Sequence, residues 1–210
     1  MSGYILYDFP RASSAYRVRI AMGLKGIAYA TKTVNFREDA QHSEEYQTVN
    51  PAGLVPALET PDGQLLTQSL AIIGYLDRID GPRLYPEQPF SRAVVDSMAL
   101  TIACDIHPLN NLRVLKYLEH DLSCDEDARM RWYAEWVTRG FSALEKLVQK
   151  YGGQYCFEDE ISTADICLIP QVYNASRFDV PLEKFPALLD RAERLKAVPS
   201  FQNAHPEFAR

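Results

Sequence analysis

Residues 4–35, YILYDFPRASSAYRVRIAMGLKGIAYATKTVN, decide the fold of the first part of the chain. The apolar and aromatic residues 4–9 predict a short buried strand, which the following proline ends. Apolar residues at helical spacing over 16–25 predict a helix, and Gly26 suits the left-handed residue that ends one. Residues 28–35 are rich in Tyr, Thr and Val and predict a second strand. By strong topological preference, such a strand, helix and strand form a right-handed unit with parallel strands.

The remainder of the first 80 residues predicts a short helix, a β-hairpin and a further helix. Asp62-Gly63, between the apolar segments 55–58 and 64–67, is typical of a hairpin turn. Ser69 lies where a helix N-cap is expected, and the apolar residues after it predict the helix itself. The first part of the chain is therefore expected to be an α/β domain.

Beyond this domain the pattern changes to helices. The segment GPRLYPEQPF, residues 81–90, contains three prolines and is typical of a linker. Pro108 is expected to kink the first helix after the linker, because its ring removes an amide donor. Ser162 and Asp165 have the spacing of a capping box. Helical periods cover four stretches, 91–120, 125–151, 162–176 and 186–197. The expected fold class is thus α/β plus all-α.

Composition and charge restrict the possible functions. A length of 210 residues allows one large domain or two small ones, at about 100–200 residues per domain. The net charge of −6 gives no general attraction to nucleic acid or to an anionic membrane, so we expect neither as a partner. No apolar segment is long enough for a signal peptide or a membrane span, which favours a cytoplasmic location. The four cysteines lack metal-binding spacing, so no metal site is expected and the cysteines should be free thiols.

The segment PRASSAYRVR, residues 10–19, predicts a site for an anion or a thiolate. Ser13 and Ser14 open the predicted helix, whose N-terminus offers unpaired amides and a partial positive charge. A hydrogen bond to a charged group contributes about 1.5–3 kcal/mol, which lowers a thiol pKa by about one to two units. The first cysteine of the chain is Cys104, so a thiol bound here must come with a ligand. The alternative is that one of the two serines only caps the helix.

Two further segments predict contacts with an extended peptide. A cis bond before Pro56 would leave the carbonyl and the amide of Val55 free to bind a peptide as an added strand, whereas a trans bond would make an ordinary turn. Gln68 and Ser69 start a helix and offer an amide, a hydroxyl and a side-chain amide to a carboxylate. Capping alone would also explain Ser69.

The helical part of the chain contains its own candidates. His107 and Asn111 are four residues apart and would share one face of a helix, either in a polar pocket or as a buried pair. Trp132, Tyr133 and Trp136 form a patch at helical spacing, which we interpret as packing.

The motifs in these segments match a known family. They are SSAYRVRIA at 13–21, NPAGLVPAL at 50–58, QSLAII at 68–73, DIHPLNNLRVL at 105–115 and STADICLIPQVYNASRF at 162–178. With these motifs the chain resembles the zeta class of glutathione transferases over essentially its whole length. The resemblance implies a thioredoxin-like domain over 1–81 that binds glutathione, an all-helical domain over 91–210 that completes the substrate site, and a homodimer.

The resemblance also implies roles for individual residues. The glutathione thiolate would lie near the catalytic Ser13 and Ser14, and the cysteinyl backbone would bind Val55. The γ-glutamyl carboxylate would bind Gln68 and Ser69. The full set of glutathione-binding residues implied is Gln41, Val55, Gln68, Ser69, His107, Asn111, Leu112 and Arg113.

The activity implied is the cis–trans isomerisation of maleylacetoacetate to fumarylacetoacetate, with glutathione as a cofactor that is regenerated. The thiolate would add reversibly to the cis double bond, which allows rotation. Arg177 would bind a carboxylate of this dicarbonyl acid substrate, with Arg11 and Arg113 as companions, because planar guanidinium groups hold carboxylates bidentately. Each of these arginines could instead form a surface ion pair. Arg17 and Arg19 are expected to form structural ion pairs on the first helix.

Three alternatives are open. The same fold could isomerise maleylpyruvate or conjugate another small anionic electrophile, since the arginines do not separate these substrates. A non-catalytic module that binds a partner protein is the second alternative, because Ala12 replaces the first serine of the family's usual Arg-Ser-Ser sequence. Glutaredoxin-like redox chemistry would need a cysteine at the start of the first helix, where alanine and serine stand.

Overall fold

The protein, described by a computed structural model over residues 3–79 and 81–208, contains two compact units. One unit comprises Met1–Leu84 together with Ala197–Arg210, and the other comprises Tyr85–Lys196. The first unit combines a sheet with helices, whereas the second is built of helices. The predicted α/β plus all-α class is therefore confirmed.

The first unit contains one four-stranded sheet. Its strands are β1 (Tyr4–Asp8), β2 (Tyr29–Thr33), β3 (Ala57–Glu59) and β4 (Leu65–Thr67), in the order β2-β1-β3-β4. β1 pairs in parallel with β2, with Tyr4 opposite Tyr29, and this confirms the predicted strand, helix and strand unit. β3 pairs antiparallel with β1 and with β4, and the β3–β4 pair is the predicted hairpin.

The helices are distributed between the two units. The first unit contains α1 (Ser13–Leu24), a 3₁₀ turn (Ala40–His42), α2 (Glu44–Val49), α3 (Ser69–Asp77) and, near the end of the chain, α9 (Pro199–Asn203). The second contains α4 (Pro89–Leu100), a π-helical turn (Thr101–Ile106), α5 (Leu112–His120), α6 (Glu126–Tyr151), α7 (Thr163–Arg177) and α8 (Pro186–Lys196). Across residues 3–79 and 81–208, no helix combines the length and the apolar character needed to cross a bilayer.

An apolar cluster in the first unit anchors the segment that precedes β3. Its buried members are Tyr7, Ala15, Val34, Tyr46, Val55 and Ala57. Because the Val55 side chain is part of this close-packed cluster, the chain just before β3 is held in place by its own burial.

The last part of the chain packs on α1, so the compact units differ from the predicted domain over 91–210. The Arg19 Nε donates to the Ala204 carbonyl at 2.9 Å, and the ring of Tyr16 meets that of His205 edge-on at 6.1 Å. A Cβ placed on Gly23 would lie 3.3 Å from Ser200, so glycine permits the close approach of α9. The helical stretches predicted from the sequence end at residue 197, so the sequence indicated neither α9 nor its packing on α1.

A buried ion pair between Asp8 and Arg19 connects β1 with α1. Nη1 of Arg19 donates to both carboxylate oxygens of Asp8 at 2.7 Å, and Nη2 donates to the Pro10 carbonyl at 2.8 Å. The two side chains are only 2% and 3% exposed. Burial raises the pKa of the Asp8 carboxyl above its ordinary value, although the Arg19 charge opposes this shift. The expectation of a structural ion pair is confirmed for Arg19.

The helix predicted over 91–120 is divided into parts, and a turn replaces the kink expected at Pro108. α4 continues into the π-helical turn, in which the His107 amide donates to the Ile102 carbonyl at 2.9 Å. Pro108 has no amide to donate, and although His107 before it keeps helical dihedral angles, the chain turns over residues 107–111 and α5 begins only at Leu112.

The start of α7 has the predicted capping box. The Asp165 carboxylate accepts hydrogen bonds from the amide and the hydroxyl of Ser162 and from the Cys156 amide, all at 2.9 Å. Asp165 is completely buried, and burial raises the pKa of its carboxyl. The capping box therefore also ties the preceding loop to α7.

We expect Arg19→Met to lower the free energy of unfolding by about 3–5 kcal/mol, because Asp8 is then buried without its partner. Urea denaturation followed by circular dichroism measures this loss. The matched control is Arg139→Met, which removes an exposed ion pair with Glu135 on α6 and should change the stability little. A loss for Arg19→Met no larger than for the control would contradict the expectation.

Candidate functional site

The N-terminus of α1 carries both predicted catalytic serines. Ser13 is the first helical residue and is buried, and Ser14 follows it and is partly buried. The N-cap is Ala12, whose side chain cannot cap, so the alternative in which a serine is the N-cap is wrong. The first turn of α1 contains no acidic residue, so the partial positive charge of its amides is not balanced within the helix.

Ser14 binds the segment that precedes β3. Its Oγ donates a hydrogen bond of 2.8 Å to the Val55 carbonyl. The prediction of an unpaired carbonyl at Val55 is therefore wrong, because Ser14 in the first turn of α1 reaches this carbonyl. The Val55 amide, by contrast, donates to no acceptor within residues 3–79 and 81–208.

Two side chains from the region of α2 fix the neighbouring carbonyl. The Tyr46 hydroxyl and the Asn50 side-chain amide both donate to the Leu54 carbonyl, at 2.7 and 2.6 Å. The Val55–Pro56 peptide bond is cis, the first of the two geometries considered from the sequence. The Leu54 carbonyl thus accepts two hydrogen bonds and the Val55 carbonyl accepts one, which leaves the Val55 carbonyl a second lone pair and the Val55 amide its hydrogen for a ligand.

The start of α3 differs from the prediction by one residue. Its N-cap is Gln68, and Ser69 is the first helical residue, so the assignment of Ser69 as N-cap is wrong. Gln68 has a φ of 67°, which costs a non-glycine residue about 1–3 kcal/mol and is typical of functional sites. The helix has no side-chain cap and no acidic residue in its first turn, so its amides can bind an anion.

Arg17 connects α1 with the start of α3. Its guanidinium is buried, and Nη1 donates to Ser69 Oγ at 3.3 Å. A buried positive charge beside the first residue of α3 adds to the attraction of this helix start for a carboxylate. The sequence of residues 10–19 did not indicate the contact between Arg17 and Ser69. An arginine on the buried face of a helix is nevertheless a signal for a buried polar partner.

Gln41 lies in the 3₁₀ turn and is buried. Its Nε2 donates to the Asp39 carboxylate at 3.1 Å, and its Oε1 has no hydrogen-bond partner in the described part of the chain. The loop before β3 approaches this turn closely, since a Cβ on Gly53 would lie 3.1 Å from the Gln41 carbonyl. Gly53 also has a φ of 62°, which suits glycine. A buried acceptor beside this loop would accept a hydrogen bond from a ligand.

The second unit places His107 and Asn111 in different elements. His107 ends the π-helical turn, whereas Asn111 caps α5 by accepting a hydrogen bond from the Arg113 amide. The prediction that they share one helical face is therefore wrong, because the chain turns over residues 107–110 and a new helix begins after Asn111. Leu112 is 48% exposed at the start of α5, and the side chain of Arg113 is also exposed.

Arg177, the last residue of α7, lies over aromatic rings. Its guanidinium carbon is 5.6 Å from the Tyr173 ring and 5.7 Å from the Phe178 ring. Phe178 in turn stacks on Tyr133 at 4.2 Å. Within the described residues neither Arg177 nor Arg11 forms an ion pair with a carboxylate. Arg177 is thus an oriented cation without an acidic partner, and the surface ion pair considered for it is absent.

The aromatic patch of α6 is packing, as predicted. Trp132 and Trp136 meet edge-on at 5.5 Å, and Trp132 Nε1 donates to the Leu109 carbonyl at 2.8 Å. Burial raises the pKa of Tyr133, and the Arg177 charge lowers it to a smaller extent.

Comparison with known proteins gives the family. The model "Glutathione S-transferase, N-terminal domain" matches residues 13–79, and the model "Glutathione S-transferase, C-terminal domain" matches residues 109–203. The chain is 45% identical to a probable maleylacetoacetate isomerase of Vibrio cholerae, over 99% of this chain and 97% of that protein.

Solved structures agree with this assignment. The holo structure of a maleylpyruvate isomerase, a bacterial zeta-class glutathione S-transferase, matches with a TM-score of 0.94 at 36% identity, covering 98% of both chains. A maleylacetoacetate isomerase from Methylobacterium extorquens AM1, with malonate and glutathione bound, matches with a TM-score of 0.95 at 34% identity, again over 98% of both chains. By its sequence motifs, its fold and these relatives, the chain belongs to the zeta class of the glutathione S-transferase family.

Proposed function

We propose that this chain is a glutathione-dependent cis–trans isomerase that converts maleylacetoacetate to fumarylacetoacetate. The observation that carries the proposal is the Val55 amide, which has no acceptor in the described residues and follows a carbonyl held by Tyr46 and Asn50. An extended cysteinyl residue can pair with such an amide as an added strand. The relative from Methylobacterium extorquens has glutathione bound, which supports the same ligand here.

The polar groups of the first unit fit the rest of the tripeptide. The γ-glutamyl carboxylate would bind the first-turn amides of α3 together with Gln68 and Ser69, beside the buried charge of Arg17. The unpartnered Oε1 of Gln41 would accept from a peptide amide of the ligand. Each of these groups complements a different part of one small peptide.

The N-terminus of α1 would stabilise the sulfur. Glutathione, when bound, supplies a thiolate that adds to one carbon of the cis double bond. The bond is then single and can rotate, and loss of the thiolate restores the double bond in the trans form. The chain's contribution is to favour the ionised thiol through unpaired amides and a hydroxyl of Ser13 or Ser14, worth about 1.5–3 kcal/mol. This is about one to two pKa units, which brings a thiol of pKa about 8.5 near neutrality.

Arg177 would bind a carboxylate of the substrate. Its guanidinium is held over two rings and has no acidic partner in residues 3–79 and 81–208, so both of its parallel donors are available. Arg11 and Arg113 are exposed and would assist in binding the carboxylate. His107, Asn111 and Leu112 would contribute to the binding site. A bidentate arginine orients a planar carboxylate, which limits the orientations that the bound substrate can take.

Maleylpyruvate is the second candidate substrate. The relative with a TM-score of 0.94 is a maleylpyruvate isomerase, and the arginines would bind either dicarbonyl acid. Comparing the two kcat/KM values decides between them.

We expect the purified protein to isomerise its substrate only when glutathione is present, and Ser13→Ala/Ser14→Ala to lower kcat/KM about 10- to 100-fold. The loss follows from removing both hydroxyls near the thiolate. The conversion is followed by chromatography of the cis and trans acids. Ser142→Ala is the matched control, because that hydroxyl also donates to a backbone carbonyl but lies at an exposed position of α6.

Conversion without glutathione would contradict this mechanism, as would an unchanged rate in the double variant. Retention on immobilised glutathione without turnover of either acid would favour the non-catalytic binding module instead.

Arg177→Lys is expected to lower kcat/KM for the acid about 10-fold or more, because lysine cannot form the bidentate pair. The affinity for glutathione, measured by calorimetry, should stay unchanged. Arg139→Lys on α6 serves as the control. An equal loss in both variants, or a loss of glutathione affinity alone, argues against a substrate role for Arg177.

We also propose that the protein acts as a homodimer. The first unit leaves Leu65 at the edge strand β4 and Tyr75 on α3 exposed, and the second leaves Phe90 and Leu100 exposed on α4. A second copy of the chain would cover such apolar residues. Sedimentation equilibrium is expected to give twice the chain mass, and a monomer mass at micromolar concentration would reject the dimer.

The proposal includes a cytoplasmic location. All four cysteines are free thiols, which is typical of a reducing compartment. Cell fractionation tests this location, and recovery in a periplasmic or membrane fraction would reject it.

A further inference from the structure

The hydrogen bond between Ser14 and Val55 has a consequence for the division of roles between the two serines. Ser14 Oγ donates to the Val55 carbonyl at 2.8 Å, a favourable length for a hydroxyl donor. A serine hydroxyl has a single hydrogen. While Ser14 donates it to the carbonyl, the same group cannot donate to a thiolate.

The bond acts on the segment that presents the Val55 amide. The Leu54 carbonyl is held by Tyr46 and Asn50, and the next carbonyl along the chain is held by Ser14. The Val55 side chain is buried in the apolar cluster. Three attachments therefore fix this peptide, and one of them comes from the first turn of α1.

We propose that Ser14 is a positioning residue, whose hydroxyl holds the Val55 peptide against the first turn of α1 so that the tripeptide bound there directs its sulfur to that turn. The proposal rests on the proposed function, since it deepens the role of the same glutathione site. Stabilisation of the thiolate is then left to Ser13 and to the amides of α1. The division of roles matters because Ala12 replaces the first serine of the family's usual sequence, so the serine hydroxyls in the first turn of α1 are those of Ser13 and Ser14.

The two possible roles of Ser14 predict different responses to the sulfur of the ligand. A positioning residue affects any ligand that pairs with the Val55 backbone, whether or not its sulfur can ionise. A thiolate donor affects only a ligand with an ionisable thiol. S-methylglutathione has the same backbone as glutathione and no thiol, so the pair of ligands separates the roles.

The experiment measures the binding of glutathione and of S-methylglutathione by calorimetry, and the pKa of the bound thiol by ultraviolet absorbance against pH. We expect Ser14→Ala to weaken both ligands by the same factor, about 3- to 10-fold, and to leave the thiol pKa unchanged. Ser14→Thr, which keeps the hydroxyl, should restore the affinity for both. Ser142→Ala is the control for loss of a hydroxyl that donates to a backbone carbonyl elsewhere.

Weaker binding of glutathione alone, with a raised thiol pKa, would overturn the proposal and make Ser14 the thiolate donor. Unchanged binding of both ligands would overturn it as well. If Ser14→Ala fails to fold, Ser14→Cys replaces it, because a thiol of similar size is a weak donor. A wild-type protein that binds neither ligand would refute the proposed function itself, and that result differs from every outcome confined to the variants.

Discussion

The ion pair between Asp8 and Arg19 is the interaction on which the first unit depends most. Removing two charges from water is costly, and the cost is offset only when the remaining donors and acceptors are also paired. Arg19 meets this condition by bonding β1, the Pro10 carbonyl and the Ala204 carbonyl at once. It thereby fixes the loop that leads into α1 and the end of the chain that packs on α1. The position of the two serines follows from this arrangement.

The candidate glutathione site consists mainly of backbone groups, and side chains hold them in place. α1 contributes its first turn, the segment before β3 contributes the Val55 amide, and α3 contributes its own first turn behind the strained Gln68. Ser14 and Arg17 connect these elements directly through hydrogen bonds. Hydrogen bonds between the elements of a site hold its groups in place before a ligand binds, which lowers the entropy lost on binding.

In the second unit, one cation is oriented by aromatic packing. Tyr133 stacks on Phe178, and the guanidinium of Arg177 lies over Phe178 and Tyr173. The same region contains the π-helical turn. α6 approaches this turn closely because Gly140 has no side chain, and a Cβ there would overlap the Ile106 side chain. Pro108 ends this turn, and Asn111 then starts α5. These local breaks separate residues that a continuous helix would have placed on one face.

The sequence by itself determined the order of strands and helices over the first 80 residues, the change to helices after them, the parallel strand pair, the hairpin, the capping box of α7 and the family. These follow from local patterns, such as the glycine that ends α1 and the fixed spacing of Ser162 and Asp165, which act within a few residues of each other. Only the tertiary structure decided that Ser14 bonds a carbonyl 41 residues away, that Arg17 meets Ser69 and that the end of the chain packs on α1. Hydrogen bonds between distant residues depend on how the elements pack, and Gln68 takes its strained backbone from that packing, because its residue type does not favour a positive φ.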